Sequence, residues 1–153
     1  MRIFRLMAAA GLLSVLSAAA EDPWKAADLM PPAALAARLA DASAAKPIIL
    51  FVGFEVLYHG AHIPTAVYAG TASKPEGLEA LRKAVADLPH EKEIVIYCGC
   101  CPFDRCPNVR PAFGELRKMG FTKINVLSLP SNTATDWIGK GYPVERPSGN
   151  KGH

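Results

Sequence analysis

No cysteine of the chain lies outside the stretch from Cys98 to Cys106. Disulfides stabilise mainly when they close long loops, because that is where the unfolded state loses most entropy. Four thiols gathered into one short stretch therefore argue against a stapled framework and for local reactivity or metal binding. Basic blocks are missing too, and the formal net charge is only +3, so neither nucleic acid nor an anionic membrane surface is an expected partner. The chain has no internal repeat, and its one compositional bias is the alanine-rich stretch over residues 33–45. The apolar run Leu6 to Leu16 is shorter than the roughly 20 residues that a bilayer span takes.

That run is better explained as part of an export signal. It follows Arg2 and Arg5, and it leads into Ser17-Ala18-Ala19-Ala20 before the acidic pair Glu21-Asp22. A charged start, an apolar middle and small residues at the end are the order of a secretory signal peptide. Residues 1–20 are expected to be cleaved after Ala20, leaving a periplasmic or secreted protein with no membrane contact; an uncleaved N-terminal anchor is the residual alternative. Two of the 17 basic residues leave with that segment, so the remainder balances 15 basic against 14 acidic residues. The length that is left suits one hydrophobic core. One domain is expected over residues 21–146, with a disordered polar tail over 147–153.

Within the domain, apolar runs alternate with amphipathic segments. Leu35 and Leu39 follow Pro31-Pro32 as a short helix. Ile48 to Val52 is an unbroken apolar run, the mark of a strand covered on both faces. Gly53 to Gly60 reads as loop, and Ile63 to Tyr68 as a turn entering a short strand. Leu78, Leu81, Val85 and Leu88 recur at helical spacing. Ile94 to Tyr97 is a second buried strand ending at Cys98, Phe113, Leu116 and Met119 mark a helix stopping at Gly120, and Ile124 to Leu127 is a third strand. Trp137 and Ile138 are expected inside a last short helix. This alternation predicts an α/β fold with a mostly parallel central sheet and helices on both faces. Ligands of such sheets bind at the carboxyl ends of the strands, where Cys98 stands.

Three segments, in order, resemble the rhodanese-like sulfurtransferase family. Gly60-Ala61-His62-Ile63-Pro64-Thr65-Ala66 is similar to its Gly-His-Ile-Pro-Gly-Ala turn, and Val95-Ile96-Tyr97-Cys98 to the strand that leads into its catalytic cysteine. Gly120-Phe121 through Leu127, then Trp137 and Gly141-Tyr142-Pro143-Val144-Glu145, resemble its closing elements. The sequence also departs from the pattern. Phe51 and Gly53 stand where the family carries a structural Asp and Arg, Ala61 and Thr65 replace turn glycines, and the loop after Cys98 is longer than the family's. Cys98 has the family position relative to the strand, whereas Cys100 to Arg105 reproduces the Cys-x4-Arg spacing. Strand-end placement favours Cys98, because it fixes the thiol in space.

The resemblance implies a rhodanese-like fold and a two-step sulfur transfer. A Cys98 thiolate would attack the outer sulfur of a small sulfur-containing anion such as thiosulfate, hold it as a persulfide, and pass it to a thiol or protein acceptor. Gly99, Cys100, Cys101, Arg105, Cys106, Asn108 and Arg110 form the expected loop and substrate-binding set, with Arg105 or Arg110 as candidate anion ligands and Asn108 or Arg110 at the start of a helix. No cofactor is expected. Two alternatives come from the cysteines alone: a non-catalytic thiol-redox module, or a copper or zinc site on Cys98, Cys100, Cys101 and Cys106, although paired Cys-x2-Cys knuckles are lacking. His59 and His62 read better as structural than as metal ligands.

Overall fold

The computed structural model describes residues 21–147; the expected signal peptide and residues 148–153 of the expected tail lie outside them. Five strands, β1 (Leu29–Met30), β2 (Ile48–Phe51), β3 (Val67–Tyr68), β4 (Ile94–Tyr97) and β5 (Ile124–Leu127), form one sheet in the order β1-β5-β4-β2-β3. Every pairing between them is parallel. The helices are α1 (Pro32–Ala40), α2 (Glu55–Gly60), α3 (Pro75–Val85), α4 (Val109–Lys118) and α5 (Thr133–Asp136).

Side chains of successive strand residues point to opposite faces, and both faces are covered. Leu50, Val52, Ile94, Ile96 and Val126 face one core with Leu81 and Val85 of α3 and Val109, Ala112, Phe113 and Leu116 of α4. Ile49, Phe51, Val95, Tyr97 and Leu127 face the other with Leu35 and Ala36 of α1 and with Trp137. This explains why the strands read as continuous apolar runs. Among the described residues no helix is long and apolar enough to cross a membrane.

The structure corrects two local expectations and adds one element. Residues Glu55–Gly60 are helical rather than loop; the helix is short, with Val56 75% exposed, so it carries no apolar stripe to read. Trp137 lies between α5 and a 3-10 turn over Ile138–Lys140, not inside a helix. Asn132 starts α5, its Oδ1 accepting from the Thr135 N–H at 2.8 Å. The two-residue strand β1 was not anticipated, being too short for any period to show.

The turn before β3 contains the one described non-glycine residue at positive φ, Thr65 at 66°. A β-branched residue there is strained by roughly 1–2 kcal/mol. Thr65→Gly is therefore expected to raise stability by roughly 0.5–1 kcal/mol after glycine's greater unfolded-state entropy is set against that relief. A higher urea midpoint with an unchanged m-value would show it; a lower midpoint would show that Thr65 makes up the strain through its contacts.

Candidate functional site

The central strand β4 delivers Cys98 to the carboxyl edge of the sheet, and the loop after it folds over that edge. Gly99 adopts φ +85°, which reverses the chain at once and returns Cys100 to Cys98. The loop is pinned to the segment that follows the neighbouring strand β5 by two backbone bonds: Thr133 N–H donates to Gly99 O at 3.1 Å, and Phe103 N–H to Leu129 O at 3.1 Å. Trp24 packs against Phe103 and Phe113 with ring centroids 6.2 and 5.9 Å away. A 3-10 turn over Phe103–Arg105 then leads through Cys106 to Asn108, the residue directly before α4.

All four cysteines are free thiols. The Sγ atoms of Cys98 and Cys100 are 3.2 Å apart, and those of Cys100 and Cys101 3.0 Å. Cys106 brings its sulfur to within 4.8 Å of both Cys98 and Cys100. Cys98 and Cys106 are 2% and 1% exposed, while Cys100 and Cys101 are half-buried, so the two outer thiols are what a reagent meets first.

The inner sulfurs, Cys98 and Cys106, lie within 4.8 Å of each other and are electrostatically coupled. The neighbouring Cys98 thiol, with the backbone N–H groups of Asn108 and Val109 at the start of α4, outweighs burial and brings Cys106 down to about 6. Amides converging at a helix start stabilise a thiolate in this way. Cys98 is correspondingly pushed up, first by the neighbouring Cys106 and then by burial. Two groups coupled this closely titrate as a unit. Cys101 is also raised, chiefly by burial. Cys98 is not without donors of its own, for Asn108 Nδ2 lies 3.3 Å from its sulfur and the Cys100 N–H points at it. The Asn108 Oδ1 accepts from Ser73 N–H at 2.9 Å, which fixes the orientation of that fully buried amide.

The two arginines expected near an anionic donor are placed differently. Arg105 is exposed at the end of its 3-10 turn. Arg110 pairs with the Asp22 carboxylate and lays its guanidinium over the Trp24 ring, 5.5 Å from the centroid, so its charge is already matched. A cavity of about 220 Å³ opens beside Gly99, walled by Phe51, Val56, Leu57 and Ile138 with Thr133 next to the loop, and no charged residue lines it. His62 is structural: its Nδ1 is 2.9 Å from Tyr58 O, its ring stacks on Tyr58 at 4.0 Å, and its backbone bridges Glu145. His59 is exposed beside Glu55.

Cys98, Cys100 and Cys106 are also the group of described residues close enough to hold a metal ion. Soft thiolates suit Cu(I) or zinc. Two further residues shape the site. A Cβ on Gly53 would stand 2.7 Å from both the carbonyl oxygen and the Sγ of Cys98. Thr133 Oγ1 is buried without a hydrogen-bond partner, directly behind Gly99, where a Cβ would come within 2.5 Å of it. The glycine after the β2 run was a signal for Gly53; nothing in the sequence marked Thr133.

No family model and no curated protein matches the sequence, but solved structures do. A rhodanese-like domain from Anabaena sp is 22% identical with a TM-score of 0.58, the match covering 82% of this chain and 83% of that one. A protein from Bacillus halodurans is 21% identical with a TM-score of 0.60, covering 82% and 81%. A shorter crystal structure of the Anabaena domain is 25% identical at a TM-score of 0.50 over 65% of this chain and 98% of its own. Such identities establish fold rather than activity. With its parallel sheet and its cysteine loop directly after the central strand, the chain adopts the rhodanese-like fold.

Proposed function

We propose that the chain is an exported sulfurtransferase that carries sulfane sulfur as a persulfide on Cys98. The observation that carries this reading is the placement of the Cys98 sulfur at the end of β4, where Asn108 Nδ2 donates to it at 3.3 Å and the Cys106 sulfur at the approach to α4 lies within 4.8 Å. A nucleophile beside a built-in base is the arrangement that group transfer needs. As the Cys98 sulfur attacks the outer sulfur of a donor, its proton passes to Cys106. The donor's sulfur–sulfur bond breaks, and the remainder leaves as an anion. The resulting persulfide sits where Asn108 Nδ2 and the Cys100 N–H donate. A thiol or protein acceptor then takes the outer sulfur, and neither step calls on a cofactor. Export is supported by the order of charge, apolar run and small residues in positions 1–20.

Reduced protein is expected to release sulfite from thiosulfate, or to take up sulfur from polysulfide, in roughly equimolar amount, and Cys98→Ser is expected to do neither. Equal uptake by Cys98→Ser would overturn the assignment of the nucleophile. No uptake by the wild type, with a metal ion retained under native mass spectrometry, would favour the metal-binding alternative, to which the Cys98, Cys100 and Cys106 sulfur triangle lends support.

A further inference from the structure

The Cys98-Gly99-Cys100 turn is built for exchange between its two sulfurs. Gly99 holds φ +85°, and Thr133 closes the space behind it, so that no larger residue fits. The Thr133 N–H bond to Gly99 O at 3.1 Å anchors the turn to the start of α5. This leaves the Cys98 and Cys100 sulfurs 3.2 Å apart. The competing thiol, Cys106, lies within 4.8 Å of Cys98 without a contact like the 3.2 Å one that Cys100 makes. Cys100 is also half-buried where Cys98 is closed off, so it can meet a second molecule.

We propose that Cys100 is the resolving thiol of a persulfide on Cys98, so that sulfur leaves the site as sulfide and an external dithiol supplies the electrons. The inference rests on the sulfurtransferase reading above. The Cys100 thiolate attacks Sγ of the Cys98 persulfide; a Cys98–Cys100 disulfide forms, the bond to the outer sulfur breaks, and that sulfur departs as hydrosulfide. Two thiols are oxidised to one disulfide while the sulfane sulfur gains the two electrons. The external dithiol then attacks the accessible Cys100 sulfur, releasing Cys98 as a thiolate that recovers its proton, and its second thiol displaces Cys100. The dithiol ends as a disulfide and the site is reset. The partner so identified is a dithiol reductant, which stands in for the thiol or protein acceptor of the sulfurtransferase reading.

The test uses reduced protein under anaerobic conditions, mixed with one equivalent of thiosulfate and no reductant, so that uptake releases sulfite and only resolution releases sulfide. Wild type is expected to release about one sulfide per chain and to yield a Cys98–Cys100 disulfide on peptide mapping. Cys100→Ser is expected to keep the sulfur on Cys98, trapped by alkylation, and to release sulfide at least about tenfold more slowly until dithiothreitol is added. Equal sulfide release by Cys100→Ser, loss of release in Cys101→Ser instead, or a disulfide mapped to Cys98 and Cys106 would overturn the proposal while leaving sulfur uptake intact. Failure of both wild type and Cys100→Ser to take up sulfur would instead remove the sulfurtransferase reading, and this inference with it.

Discussion

Gly53→Ala is expected to destabilise the fold by roughly 1–3 kcal/mol and to abolish sulfur uptake at Cys98, although it adds a single methyl group. The added carbon would stand 2.7 Å from the Cys98 carbonyl oxygen and 2.7 Å from its Sγ, and 3.1 Å from the Phe51 ring. Backbone movement gives little relief. Val52 N–H donates to Tyr97 O at 2.9 Å, Ala72 N–H to Val52 O at 3.2 Å, and Thr71 Oγ1 to Gly53 O at 3.0 Å. Cys98 must therefore turn or retreat, and either movement separates its sulfur from Asn108 and Cys106. Gly114→Ala is the matched control. It lies in α4 with nothing within 4 Å of the new carbon, so it should stabilise by roughly 0.5–1 kcal/mol. Urea denaturation and sulfite release on the two variants make the comparison; normal uptake in Gly53→Ala would mean that Cys98 does not react from the position described.

Gly53 also marks the limit of what the sequence makes legible. Ile48–Phe51 and Ile94–Tyr97 were readable because a strand buried on both faces has to be apolar at every position, and Ile124–Leu127 breaks that run only at half-buried Asn125, which donates to Glu93. The cysteine loop was readable for a related reason, since the residues directly after a central parallel strand lie at the sheet's carboxyl edge. Close approach of two segments distant in sequence has no such local signature. The contact between Gly53 and Cys98, the Thr133 bond to Gly99 and the pairing of Arg110 with Asp22 are all of that kind. The same holds for the division of labour among the thiols. Strand-end placement singled out Cys98 and the Cys-x4-Arg spacing Cys100, but which sulfur lies by the amides at the start of α4 depends on the path of the chain through the 3-10 turn, and that path brings Cys106 there.

Removing that sulfur has the second large effect. In Cys106→Ser the hydroxyl can still accept from the Asn108 and Val109 amides, but it does not ionise near neutrality, so Cys98 loses its base. Wild-type uptake should rise with pH through about 6 and then level off. The variant should rise only towards the ordinary thiol range, making it roughly 30-fold slower at pH 7. Stability depends on the same proton. A thiol ionised more readily in the folded than in the unfolded chain stabilises the fold above its ordinary pKa, and that contribution is lost as pH falls through its folded value. For Cys106 the window therefore runs from near 9 down to about 6, with a limiting slope of about 1.4 kcal/mol per pH unit. Cys98 acts in the opposite sense: its pKa is raised, so stability declines again once pH exceeds the ordinary thiol value and the unfolded chain ionises first. Wild-type stability should thus climb from about pH 6 and peak near the ordinary thiol value, and Cys106→Ser should flatten both limbs, because each thiol's shift is caused first by the other. Urea titrations across this range, read beside the pH profile of uptake, decide the matter. If the variant keeps the wild-type profile in both measurements, Cys106 is only a packed sulfur and the base for Cys98 has to be sought elsewhere.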